Sequence, residues 1–323
     1  DCYTFQANAG DTYVFDLAAA RMASGLDGYL ALYDSRGKIL QSALEGFDRD
    51  PRLIHQFKTS GTYTIQVRDS MYRGGGNFTY RLAMGKIPAV TGVLPSGGKR
   101  GQTVTVNLEG VNLGDMKSMP VQIPADASEV TVPLNTPMGP ASAPVSLVAD
   151  DLDEAVEVEP NNTPAQATPI GTLPVIINGR IDQPGDTDLF RIKPAAAGNL
   201  AFEIKGRRLG SRIDSFLRVL DASGKELQSN DDAEGKDSRI VFGVAAGTEY
   251  LVEVRSVDRR AGGDVFYRLA INPPAGPDFT LTMTPTELNV GQAGSTAVTV
   301  NVQRRNGFAG PVALRVEGLP AGI

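Results

Sequence analysis

The feature that most constrains this chain is that it spells one pattern twice. "DSRGKILQS", Asp34 to Ser42, returns as "DASGKELQS", Asp221 to Ser229. Sliding the sequence by the same offset lays "FDLAAARMASGLDGYLALYDSRGKILQS" over "FEIKGRRLGSRIDSFLRVLDASGKELQS" and "GGNFTYRLAM" over "GGDVFYRLAI". About twenty of some seventy aligned positions are identical, almost without gaps. A period this long marks a duplicated domain with its own core in each copy, not a solenoid. We call the earlier stretch copy one and the later stretch copy two.

Within each copy the apolar residues alternate. Tyr250, Val252 and Val254 fall on one face of "YLVEVRS", and Tyr63, Ile65 and Val67 on one face of "YTIQVRD". That period predicts half-buried strands. Gly-rich punctuation such as "KTSGT", "RGGGN" and "RAGGD" separates them at hairpin intervals. In "D-x-x-G-K" the Gly supplies a positive φ and the Asp accepts from nearby N–H groups. No amphipathic helix longer than two turns is apparent. The predicted fold class is therefore all-β, as tandem β-sandwiches.

Between the copies, "IPAVTGVLPSGGKRGQTVTVNLEGVNL" and the short strands "EVTVPL" and "APVSLVA" predict a small immunoglobulin-like sandwich. After copy two, "PDFTLTMTP" onwards predicts at least three more strands of an incomplete sandwich. The expected domains are 1–86, 87–150, 151–274 and 275–323. Asp1 aligns with Asp188, well inside its own domain, so copy one is expected to lack its opening part.

Residues 157–167, "EVEPNNTPAQA", followed by "GRIDQPGDTDLFRI", "DSFLRVLDASGKEL", "NDD" and "GTEYLVEV", resemble the bacterial pre-peptidase C-terminal domain. Copy one resembles the same family without its opening segment. "PAVTGVLPSGGKRGQTVTVNLEGVNL" is similar to immunoglobulin-like, transcription-factor-type (IPT/TIG) modules. The first resemblance implies jelly-roll-like sandwiches of secreted proteases, collagenases and large envelope proteins, which bind calcium or insoluble polymers and do no chemistry themselves.

It also directs attention to an acidic run. Asp150, Asp151, Asp153, Glu154, Glu157 and Glu159 occur with no Lys or Arg among them. A hard divalent cation takes 6 to 8 oxygens, and Glu157, Glu159, Asn161 and Asn162 offer them from a short extended run. The resemblance implies that Asp186 and Asp188 come to the same place. Calcium there would stiffen the junction with the middle module. The competing reading is a solvated acidic linker. A second group, Asn230, Asp231, Asp232, Glu234 and Asp237, reads as a solvated loop, with Asp237 and Asp50 each expected to pair with the Arg two positions on, Arg239 and Arg52.

Enzyme readings lack parts. His55 is the one histidine, so a hydrolase triad has a single possible base. It aligns with Phe242, which predicts a strand position packed like an aromatic. Cys2 has no second thiol and reads as a small buried side chain. "PSGGKRGQT" departs from the phosphate-loop pattern at Val93 and Arg100 and reads as a turn. A net charge of -6 without a basic stripe argues against nucleic acid, and no apolar run approaches the ~20 residues of a membrane span.

There is no Trp for a sugar platform; Tyr29 and Tyr72 are candidate contributors, while Tyr80 and Tyr267 suit the core. Arg68 and Arg81 recur as Arg255 and Arg268, suited to ion pairs or an anionic ligand. The expected function is a non-catalytic structural or adhesion segment of a bacterial protein that is secreted, periplasmic or at the cell surface. Its partner would be a protein or polysaccharide of the surface or matrix, or another copy of itself. The alternative is a substrate-binding tail of an exported hydrolase or protease, holding collagen-like protein or polysaccharide.

Overall fold

A computed structural model describes residues 1–44, 50–274, 276, 278–285, 294–305, 308–316 and 318. They form two compact units, Asp1–Asn272 and Pro273–Ile323.

Copy one contributes β1 (Cys2–Ala7), β2 (Thr12–Ala18), β3 (Gly28–Tyr33), β4 (Ile39–Ala43), β5 (Arg52–Gln56), β6 (Gly61–Asp69) and β7 (Arg81–Gly85). They pair as β1-β6-β3-β4 and β5-β2-β7, two sheets that enclose Phe15, Leu17, Leu30, Leu32, Ile65 and Val67. The middle module supplies β8 (Ala89–Leu94), β9 (Gly97–Lys99), β10 (Thr103–Val111), β11 (Ser118–Gln122), β12 (Glu129–Val132), β13 (Asn135–Thr136), β14 (Gly139–Pro140) and β15 (Val145–Asp150). Its sheets β11-β10-β8 and β12-β15-β9 bury Val106, Val121, Ile123 and Leu147 between them. The "PSGGKRGQT" stretch is more than the turn that its glycines suggest, because β9 runs through it and pairs in parallel with β15.

Copy two begins with β16 (Glu154–Val156), β17 (Thr168–Pro169) and β18 (Val175–Arg180). There follow β19 (Thr187–Ile192), β20 (Gly198–Lys205), β21 (Ser215–Asp221), β22 (Glu226–Asn230), β23 (Arg239–Val244), β24 (Tyr250–Ser256) and β25 (Phe266–Asn272). Their order is β17-β19-β24-β21-β22 and β16-β18-β25-β20-β23. Without β16 to β18 this is copy one's order, strand for strand, and the single-turn 3-10 helix Ala20–Met22 returns as Arg207–Leu209. The pattern that repeats in the sequence repeats in the strand order because the same alternating side chains face inward. The second unit shows β26 (Asp278–Thr284) paired with β27 (Thr299–Arg305). The remainder of the strands expected after copy two lies partly outside the described residues.

The shared turn is built as its residues dictate. Asp34 Oδ1 accepts from the N–H groups of Arg36 and Lys38, and Asp221 Oδ1 from those of Ser223 and Lys225. Gly37 and Gly224 take φ of +79° and +87°, a region that disfavours any Cβ.

Three further sequence expectations need correction. Cys2 is exposed, because β1 closes one end of its sheet and turns that side chain outward. The strand "YLVEVRS" is buried on both faces, since Leu251 packs with Ala167, Leu189 and Leu220 beneath the opening segment of copy two. Asp50 and Asp237 pair not with Arg52 and Arg239 but with Arg21 and Arg208 of the 3-10 turns. Arg52 instead reaches Asp16, and Arg239 reaches Glu203 at the equivalent place. Strand alternation explains this: two positions on is the same face but a full residue pair away, whereas the helical turn folds its Arg straight onto the carboxylate.

His55 is half-buried, with its ring centroid 4.9 Å from that of Phe57 and Nδ1 3.2 Å from Gln41 Oε1. No helix among the described residues is long and apolar enough to cross a membrane.

Candidate metal centre

The opening segment of copy two runs beside β18, and the parallel pairing of β16 with β18 sets Glu157 next to the end of β18. Glu157 Oε1 accepts from the Arg180 N–H at 2.7 Å. β19 carries Asp188 inward against β25, where Tyr267 donates its hydroxyl to Asp188 Oδ2 at 2.5 Å and lies 3.3 Å from Glu157 Oε2. One oxygen each from Glu157, Glu159 and Asp188 lies within 4.8 Å of the others. Three carboxylates are thus gathered round one point, and among the described residues no lysine or arginine side chain forms an ion pair with any of them.

Burial makes this arrangement costly. Asp188 is 0% exposed and its Oδ1 has no hydrogen-bond partner; the fully buried Asn161 lacks partners for both Oδ1 and Nδ2. Removal from water pushes Glu157 up to about 8, and raises Glu159 as well. Asp188 rises well above the usual carboxylate range through burial first and the Glu157 charge second. An unsatisfied buried carboxylate oxygen is rare in folded proteins. A donor set made wholly of carboxylate and amide oxygens fits a hard cation such as calcium, and the orphaned Asp188 Oδ1 and Asn161 Oδ1 are the oxygens such an ion would satisfy.

The other sequence candidates sit next to this point but are occupied. Asn162 Oδ1 accepts from the Thr187 N–H; Asp186 Oδ1 accepts from the same group and Oδ2 from Asp182. They brace the loop that delivers Asp188. Tyr267 is the residue that sequence reasoning assigned only to packing. Its signal was present: Asp1 and Tyr80 stand at the same separation as Asp188 and Tyr267, and Tyr80 donates to Asp1 Oδ2 at 2.5 Å.

The second acidic group behaves as a solvated loop apart from Asp237, whose carboxylate is buried under the Arg207–Leu209 turn. The recurring arginines divide. Arg268 forms a two-pronged pair with Glu154, while Arg255 lies over the Phe216 ring and Arg68 over Tyr29 and Tyr72.

No protein-family model matches the chain. A stretch of 113 residues, 33% of the chain, is 41% identical to a probable subtilase-type serine protease of Deinococcus radiodurans, of which the chain spans 15%. The pre-peptidase C-terminal domain of a Bacillus anthracis collagenase aligns over 36% of this chain and 100% of its own, at 19% identity and a TM-score of 0.29. The M60 catalytic domain of Clostridium perfringens ZmpB with its two CBM51 domains aligns over 84% of this chain and 33% of that one, at 11% identity and a TM-score of 0.22. What the structure defines as a class is an all-β chain of tandem sandwiches.

Proposed function

We propose that the chain is a non-catalytic, calcium-binding accessory segment of a larger exported bacterial protein of the protease kind. The observation that carries the cation reading is the cluster of Glu157, Glu159 and the buried Asp188, with orphaned oxygens on Asp188 and Asn161. The accessory reading is supported by the 41% identity to a subtilase-type protease that is far longer than the matched stretch. Bound calcium would supply positive charge to this oxygen cluster, tying the opening segment, through Glu157 and Glu159, to β19 through Asp188. Extracellular calcium modules bind at roughly 10⁻⁴ to 10⁻³ M, and an ion at tenfold its dissociation constant adds about 1.4 kcal/mol of stability. Isothermal calorimetry on the whole chain is expected to show one calcium site that disappears in Asp188→Asn. Heats indistinguishable from dilution would overturn the reading.

One observation favours anchoring to a substrate over mere spacing. Tyr72 is 78% exposed and Met71 beside it 72%. The Arg68 guanidinium lies between the Tyr29 and Tyr72 rings, 3.8 and 4.3 Å from their centroids. Asp69 holds the turn with bonds from the Met71 and Arg73 N–H groups and an ion pair to Arg73. The same turn in copy two keeps the positive φ but carries Arg259 at the Tyr72 position. An aromatic face held out to water on a fixed support suits the flat face of a polysaccharide ring. Sedimentation with insoluble polysaccharides is expected to show retention that Tyr72→Ala reduces about tenfold, as loss of a ring contact worth about 1.4 kcal/mol would. Equal retention of both proteins counts against it.

A further inference from the structure

The middle module meets copy two through a buried polar cluster that the cation reading does not use. Arg268, on β25, is 1% exposed. Its Nη2 donates to Glu154 Oε1 at 2.7 Å, and its Nη1 to Glu154 Oε2 and Asn178 Oδ1, both at 3.1 Å. Asn178, on β18 and fully buried, turns its amide nitrogen to Glu154 Oε2 at 2.7 Å. Its oxygen also accepts from the backbone N–H and the hydroxyl of Ser96, which belongs to the middle module. Four side chains from four separated segments thus satisfy one another.

The guanidinium presses on the middle module's backbone. A Cβ placed on Gly97 would stand 1.8 Å from Arg268 Nη1, so only glycine leaves room at this strand position. A second close approach lies alongside, where Gly92 of β8 faces Gly263 and a Cβ on Gly92 would meet its Cα at 2.6 Å. Outer ion pairs join Lys99 to Asp153, Arg100 to Asp151 and Arg180 to Glu109. Exposed pairs of this sort add little. A buried pair with every partner present is different, because losing either member strands a charge away from water.

We propose that Arg268, with Glu154, Asn178 and Ser96, is a pin that locks the middle module to copy two as one rigid body without help from a bound cation. This goes beyond the calcium reading, which concerns the neighbouring segment from Glu157 onwards. Modules joined in tandem move relative to one another by default unless their interface is extensive, and the pin supplies a specific register where outer ion pairs alone would not.

Spin labels at Lys117→Cys and Ala222→Cys, in a Cys2→Ser background, report the distance between the two modules in the full chain. A single narrow distribution is expected, identical in calcium and in EDTA. Gly97→Ala and Arg268→Met are each expected to widen it about twofold or more while circular dichroism keeps the strand signal. Broadening of the parent protein in EDTA would overturn the proposal, and so would a distribution that stays narrow in both folded variants. Should a variant lose its strand signal, the EDTA comparison on the parent still decides. Calorimetry without calcium binding would remove the cation reading and leave the pin intact, so the two fail separately.

Discussion

Metal-free protein is expected to gain thermal stability as the pH is lowered from about 8 to about 6, and calcium is expected to reverse that slope. Burial raises Glu157 from 4.5 to about 8. The folded state therefore holds a proton that the unfolded chain has already released over this range, and folding is favoured at the acid end. Relative to that state, stability falls as pH rises through the range and is lowest above about 8. At about 1.4 kcal/mol per pH unit over these two units, Glu157 alone makes the difference on the order of 2 kcal/mol. Asp188 shifts in the same direction, through burial and then Glu157. Calcium needs the carboxylates ionised, so its affinity grows as the metal-free protein weakens. Melting curves in EDTA and in excess calcium, taken from pH 6 to 8.5, check this. Asp188→Asn should reduce the EDTA slope to the share that Glu157 carries and remove the calcium increment. An EDTA midpoint that climbs with pH, or one that ignores calcium at pH 8, contradicts the assignment of these side chains to one cation.

Asp237→Ala and Asp50→Ala should each cost about 3 to 5 kcal/mol, the range seen when one member of a buried charge network is removed. Asp237 Oδ1 accepts from the N–H groups of Gly206 and Arg207, and Oδ2 from Arg208 N–H and Nε. Asp50 does the same for Ala19, Ala20 and Arg21. Each carboxylate thus anchors a 3-10 turn that carries no side-chain cap of its own. Burial by itself would raise Asp50, but the Ala20 and Arg21 donors outweigh it and hold the acid below its usual value. Its contribution is present above about pH 3.8 and drains away as pH falls through the lower folded value. Urea unfolding at pH 7 tests the size and a pH 2 to 5 series tests the sign. Asp34→Ala, in an open turn, serves as the control and should lose under about 1 kcal/mol. Equal losses for Asp34 and Asp237 variants would show that the buried carboxylates do not anchor their turns as described.

How much of this was legible in the sequence depended on how local the physics is. Alternation in "YTIQVRD" marked Tyr63, Ile65 and Val67, and these face the core. Turn chemistry at Asp34 and Asp221 was legible because donor and acceptor lie within four residues. The oxygen-rich opening of copy two could be read from composition, but composition does not distinguish Glu157, which faces inward, from Asn162, which braces a backbone. That choice depends on the parallel register of β16 with β18 and of β17 with β19. Tyr267 hid because a fully buried tyrosine looks like packing until its hydroxyl is placed. Arg239 and Arg52 misled because proximity in sequence was taken for proximity in space, whereas a charge on a strand meets the neighbouring strand first.

The two copies differ at one sheet border that both possess, with a consequence in the test tube. β4 ends its sheet in copy one as β22 does in copy two, but β4 holds out Ile39, 49% exposed, where β22 has Glu226. A terminal strand offers a row of peptide groups on which foreign polypeptide can template itself, and a charge set on it opposes this. Concentrated preparations should accordingly self-associate along β4 sooner than along β22, and Ile39→Lys is the natural remedy for turbidity.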